Sequence, residues 1–208
     1  PYKAGVDAGA FTLMTAHNEV NGIPSHSNKW LIYDILRKEW GFKGFVVTDY
    51  TGINEMVDHG IGDLQTASAR ALMAGIDMDM VGEGFLTTLQ ASLKQGKVTL
   101  HRIEESCRRI LEAKYKLGLF DDPYRFSNVA RQEKELNSAE NKQAALAMAE
   151  KSMVLLKNEG QVLPLSKNLK KVAVIGPLAK SEEDMHGFWS VLWPNDKLVS
   201  LYQGLQEK

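Results

Sequence analysis

The chain has 208 residues, 44% of them hydrophobic and 25% charged, which is the balance of a folded globular protein able to bury a sizeable core as one large domain or parts of two. A formal net charge of -1 provides no field that would gather nucleic acid or an anionic membrane, and no run approaches the roughly 18 consecutive apolar residues of a membrane span. Cys107 is the single cysteine, which leaves neither an intramolecular disulfide nor a cysteine-based metal site.

Pro1 to Gly9 reads as the tail of a helix stopped at Gly9, and Phe11 to Thr15 as a short strand. Pro1-Tyr2-Lys3, with no Met before it and no signal peptide, reads as the start of an internal piece of something longer. His17, Asn18 and Asn21 follow the strand's C-terminal end. Ser27 or Asn28 is placed to cap a helix whose apolar stripe is Trp30, Leu31, Ile35 and Leu36, closed by Trp40 and Gly41. Gly41 and Gly44 turn the chain into Phe45 to Thr48, an apolar run suited to a fully buried strand. Two strand-then-helix units within about forty residues fit successive parallel steps of a barrel or a doubly wound sheet.

Asp63 caps a helix from Leu64 to Met73 that Gly75 ends, and Ile76 to Met80 is a third short strand in which Asp77 and Asp79 alternate with apolar residues. Phe85 to Gln95 is helical up to Gly96; Thr99 then caps a long helix with Leu100, Ile103, Cys107, Ile110, Leu111 and Leu117 on one apolar face. That helix ends at Gly118, and Phe120 to Tyr124 turns the chain out of the compact unit. Arg125 to Asn137 is polar without clean periodicity, as an interdomain linker is. Ser138 caps a helix to Ser152, and Met153 to Lys157 either extends it or begins a strand. Leu163-Pro164-Leu165 is extended, and Val172 to Ile175 is expected as a buried strand closed by Gly176-Pro177.

Chemistry concentrates in Gly41 to Gly52, GFKGFVVTDYTG. Asp49 stands where the apolar run stops, at the carboxyl end of a strand, where parallel α/β architectures bind ligands. Spacing alone leaves a second reading equally open, in which Asp49 caps the next segment. The run from Thr12 to Tyr50 resembles the catalytic barrel of the family 3 glycoside hydrolases, which include β-glucosidases and β-xylosidases. The matching pieces are LMTAHNEVNG (Leu13 to Gly22), LRKEWGFKG (Leu36 to Gly44), TDY where that family usually has Ser-Asp-Trp, AGIDMDM (Ala74 to Met80), KYKLGLFDDPY (Lys114 to Tyr124), VLLKN (Val154 to Asn158), LPL (Leu163 to Leu165) and VAVIGPLA (Val172 to Ala179).

The resemblance implies an α/β chain in which residues 1–124 are the C-terminal part of a TIM-like (β/α)8 barrel, 125–162 an interdomain linker and helix, and 163–208 the beginning of an α/β sandwich domain. It implies a segment of a retaining, exo-acting β-glucosidase-like hydrolase, periplasmic or secreted, with a β-glycoside as partner and no cofactor. A β-xylosidase, a β-N-acetylhexosaminidase of the same family and a non-catalytic carbohydrate-binding relative are the alternatives.

A retaining glycosidase works with two carboxyl groups roughly 5 Å apart, one a nucleophile and the other a general acid and then base. The resemblance assigns the first to Asp49. By sequence alone Glu19, Glu55, Asp58, Asp63, Asp77, Asp79 and Glu83 are candidates for the second. The resemblance instead implies a glutamate of the second domain beyond Lys208, and places the family's sugar-gripping Lys-His pair before Pro1. The isolated piece is therefore expected to lack activity and to self-associate. His17, Tyr50 and Met14 are the expected substrate-binding residues. His17 reads either as a wall of the glucose subsite or as a structural hydrogen-bonder, and Tyr50, in place of the usual Trp, either as a stacking platform or as core. No metal is expected at Asp77 and Asp79, which have no His or Cys beside them. Val172 to Ala179 has one glycine, Gly176, where a dinucleotide fingerprint needs three.

Overall fold

In the computed structural model α1 (Tyr2–Asp7) leads into β1 (Thr12–Met14) through Gly9, which adopts a φ of +94°. The structure describes residues 1–136, 138–187, 189 and 198–208. They form two compact units, Pro1–Glu133 and Lys134–Lys208.

In the first unit a hairpin of β2 (Glu19–Val20) and β3 (Ile23–Pro24) follows β1. No strands are expected there from apolar periodicity. Their signal is Asn21-Gly22, which takes φ of +56° and +72°, the two left-handed residues of the tightest hairpin turn. After a 3₁₀ turn at Ser25–Ser27, Asn28 Oδ1 accepts the Leu31 N–H at 3.0 Å and caps the helix Trp30–Glu39. That helix has π winding and closes with the Trp40 N–H on the Ile35 carbonyl.

β4 (Phe45–Val47) runs parallel to β1, pairing Thr12 with Phe45, Leu13 with Val46 and Met14 with Val47. Gly44 makes this approach possible, because a Cβ there would lie 1.9 Å from the Phe11 carbonyl oxygen, which accepts the Phe45 N–H. Of the expected strand Ile76 to Met80, one parallel bridge forms, Val47 with Met78. Side chains replace the rest of the ladder: Asp77 Oδ2 accepts the Val46 N–H at 2.9 Å, and Thr48 Oγ1 accepts the Met80 N–H at 2.9 Å.

Helices α2 (Gly52–Asp58), α3 (Leu64–Ala74), α4 (Gly84–Lys94) and α5 (Leu100–Lys116) complete the packing. α2 occupies a stretch for which the sequence signals no element. Asp63 and Thr99 cap α3 and α5 as expected, accepting the N–H groups of Thr66 at 2.7 Å and Arg102 at 3.2 Å. The core gathers Ile32, Leu36, Phe42, Val46, Ile53, Met56 and Ile76, with Ala67, Ala71 and Ala74 letting α3 approach closely. Each of the large side chains contributes about 1.5–3 kcal/mol by leaving water.

The apolar face expected of α5 is corrected by the structure. Cys107, Leu100, Leu111 and Leu117 are exposed, while Ser106 and Ala113 are buried. Asp77 is the physical reason. Its carboxylate is fully buried and collects Arg37, Arg102 (3.0 Å), Arg109 (2.9 Å) and the Ser106 hydroxyl (2.9 Å), so α5 turns its polar residues inward. α6 (Val129–Glu135) is a short helix in the stretch expected to be an irregular linker.

In the second unit Ser138 caps α7 (Ala139–Ser152), accepting the Asn141 N–H at 3.2 Å. Met153 to Lys157 leaves the helix in extended form. Val172 to Ile175 is not a buried strand: it pairs with no described residue, and Val172 and Ile175 are exposed. An apolar run becomes a strand only when a second segment takes its backbone hydrogen bonds, and the described residues of this unit supply none. α8 (Leu201–Gln206) is capped by Ser200 and tied by the Tyr202 N–H to the Ala179 carbonyl at 2.9 Å. Parts of the expected linker (residue 137) and of the expected sandwich segment (188 and 190–197) lie outside the described residues.

Candidate active site

The carboxyl ends of β1 and β4 and the bridge residue Met78 lie side by side, and Asp49 stands one residue past β4, after Thr48. Beneath it the backbone is pinned, with the Thr48 N–H on the Met78 carbonyl and the Thr51 N–H on the Met80 carbonyl, both at 3.0 Å. Asp49 closes a tight turn: its Oδ1 accepts the Tyr50 N–H at 2.7 Å and its carbonyl accepts the Gly52 N–H at 3.0 Å. The turn forces Thr51 to φ +54°, a left-handed conformation unfavourable for a β-branched residue. With Oδ1 held by the backbone, Oδ2 is the oxygen that faces His17.

His17 faces Asp49 from the loop after β1. Its Nε2 lies 3.6 Å from Asp49 Oδ2, and its Nδ1 lies 2.7 Å from Glu55 Oε2 on α2, out of line for a hydrogen bond. His26 meets the His17 ring edge-on, with centroids 5.2 Å apart and planes at 78°. His26 itself is buried. Thr15 Oγ1 lies 2.6 Å from its Nδ1 and 3.4 Å from the Val47 carbonyl oxygen. Nε2 abuts Gly52, where a Cβ would come within 2.5 Å of it. Burial lowers the His26 pKa from 6.5 to about 4, helped by His17 and opposed by Asp49, so His26 is a neutral wall.

Of the expected site residues, Asp49, Tyr50 and His17 come together. Met14 does not join them. It lines an apolar cavity of about 250 Å³ with Leu13, Ile35, Leu36 and Trp40, which neither Asp49 nor His17 touches. Four of the candidate second carboxylates have other roles in this unit. Glu19 pairs with His59 at 3.5 Å, Asp63 caps α3, and Asp77 is neutralised by arginines. Asp79 accepts the Phe85 N–H at 3.2 Å, and burial raises its pKa. Glu55 alone among the candidates shares a partner with Asp49. Five residues of turn and helix separate the two, and the missed signal was helical spacing after Gly52, which returns Glu55 to the strand end.

Residues 1–113 match the model of the glycosyl hydrolase family 3 N terminal domain, and residues 153–208 that of its C-terminal domain. A periplasmic beta-glucosidase of Salmonella typhimurium is 41% identical over 99% of this chain and 27% of its own length. The crystal structure of a beta-glucosidase from Listeria innocua superposes with a TM-score of 0.81 at 35% identity, covering 99% of this chain and 28% of that one. The same protein's complex with glucose gives 0.73 at 36% identity, over 89% and 25%. The chain thus spans about a quarter of the length of the relatives it matches.

Proposed function

We propose, since this chain belongs to glycosyl hydrolase family 3, that it supplies the nucleophile side of a retaining, exo-acting β-glycosidase site that removes terminal β-D-glucosyl residues. The observation that carries the reading is Asp49 at the end of β4, with Oδ1 fixed by the Tyr50 N–H and Oδ2 facing His17. In the proposed reaction Oδ2 attacks the anomeric carbon while the bond to the departing oxygen breaks, and a general acid protonates that oxygen. Water, deprotonated by the same group, then displaces Asp49 from the sugar. The acid/base role is assigned to a glutamate of the family's second domain, in keeping with the resemblance.

The parallel order of β1, β4 and Met78 supports reading residues 1–124 as the C-terminal part of a (β/α)8 barrel, with 125–162 as linker and helix and 163–208 as the start of the sandwich domain. Tyr50, half-exposed beside the nucleophile, is assigned to a sugar subsite with His17. A periplasmic or secreted location is proposed on the name of the Salmonella relative.

The test is Asp49→Asn in the protein that carries this chain. Hydrolysis of an aryl β-glucoside should fall by many orders of magnitude with folding near wild type. Residual activity above about a tenth of wild type, little over 1 kcal/mol in barrier, would reject the assignment. Proton NMR of the first-formed sugar should show the β-anomer, since an initial α-anomer would make Asp49 a general base.

A further inference from the structure

Glu55 has no role in the mechanism above, yet it is the carboxylate that reaches the nucleophile's neighbour. His17 lies between two acids, with Nδ1 2.7 Å from Glu55 Oε2 and Nε2 3.6 Å from Asp49 Oδ2. Among the described residues, the groups facing His17 are Asp49 after β4, Glu55 on α2 and His26 in the 3₁₀ turn. His26 packs edge-on against the ring and leaves the two acids as its polar contacts. An imidazole can rotate about its Cβ–Cγ bond, so a contact at Nδ1 decides where Nε2 points. Each ring nitrogen thus faces one carboxylate.

We propose that Glu55 is a positioning residue which, by holding the Nδ1 edge of His17, keeps the Nε2 edge on Asp49 and assists the departure of Asp49 from the glycosyl-enzyme. The inference rests on the reading of Asp49 as nucleophile. In the second step the bond from the anomeric carbon to Asp49 breaks, its electron pair returns to the carboxylate, and water oxygen bonds the carbon while its proton passes to the general base. An N–H held at Asp49 stabilises that returning charge. In the first step the same carboxylate is already charged in the free enzyme, so the contact gives no comparable advantage to its attack. Glu55 should therefore act on deglycosylation far more than on glycosylation.

A dinitrophenyl β-glucoside, whose leaving group departs readily, makes deglycosylation limit kcat while kcat/KM still reports the first step. In the protein carrying this chain, Glu55→Leu should lower kcat by about tenfold or more, with KM falling in parallel and kcat/KM within about threefold of wild type, and His17→Phe should lower kcat at least as far. The double variant should be no slower than His17→Phe alone, because Glu55 acts through His17. A Glu55→Leu kcat within about twofold of wild type, a kcat/KM that falls as far as kcat, or losses that multiply in the double variant would each overturn the proposal. An Asp49→Ala arm keeps the two readings apart. Turnover restored by azide with an α-glycosyl azide as product leaves the nucleophile assignment standing and Glu55 to be judged on its own variants; wild-type activity in Asp49→Ala rejects the nucleophile itself.

Discussion

His26 shows how a residue that does no chemistry can still set the working range of a site. Burial holds it neutral down to about pH 4, against 6.5 for the free side chain. The unfolded chain therefore binds a proton between those values that the folded chain does not, and stability falls as pH drops from 6.5 toward 4, where the loss levels off. Between pH 7 and pH 5 this one residue should account for about 2 kcal/mol. Urea unfolding at the two pH values checks it: His26→Asn, weaker at pH 7 for lost packing, should lose about 2 kcal/mol less than wild type on acidification. Asp79 works in the opposite sense. Its raised pKa, caused by burial, gives stability that is present at acid pH and lost as pH rises through the folded value.

At the scale of elements, β4 and α5 are joined through charge. Asp77 accepts from Val46 on β4, from Arg37 on the π helix and from Arg102, Ser106 and Arg109 on α5, and Glu105 lies 3.7 and 3.6 Å from Arg102 and Arg109. Asp77→Asn would leave the buried guanidiniums uncompensated and should destabilise by about 3–5 kcal/mol, a large share of a domain's total. A fall of the urea midpoint with the slope unchanged would register it. This hub also marks the limit of what is legible in sequence. Short-range signals translate directly: Asp63, Thr99 and Ser138 cap the helices they precede, and the Phe45 run forms β4 with Asp49 at its end. The orientation of α5 does not, because periodicity counts Arg102 and Arg109 as solvent-facing and only the distant Asp77 turns them inward. Likewise Asp49 is found from local pattern, whereas Glu55 and His26 reach the site by folding back.

For the molecule as a whole, both units display large apolar side chains. Leu86 and Tyr115 do so in the first, and Leu155, Leu156 and Ile175 in the second, with Leu156 91% and Ile175 92% exposed. Extended backbone carrying such residues without a pairing partner is a template for association. The 208-residue chain on its own should self-associate in light scattering and show no glycosidase activity. Leu156→Glu combined with Ile175→Lys should shift it toward monomer. A monodisperse, cooperatively melting wild-type chain would contradict this expectation.

The Asp77 hub also acts as a proofreader of strand register. An apolar strand that slips by two residues keeps the same face inward, so hydrophobic burial alone discriminates weakly against the error. Here a slip of β4 would carry the Val46 N–H away from Asp77 and strand that carboxylate's donor set, a misalignment punished electrostatically at once. Because Asp49 lies three positions beyond Val46, just past the end of the same strand, the charge that checks the register also aims the nucleophile.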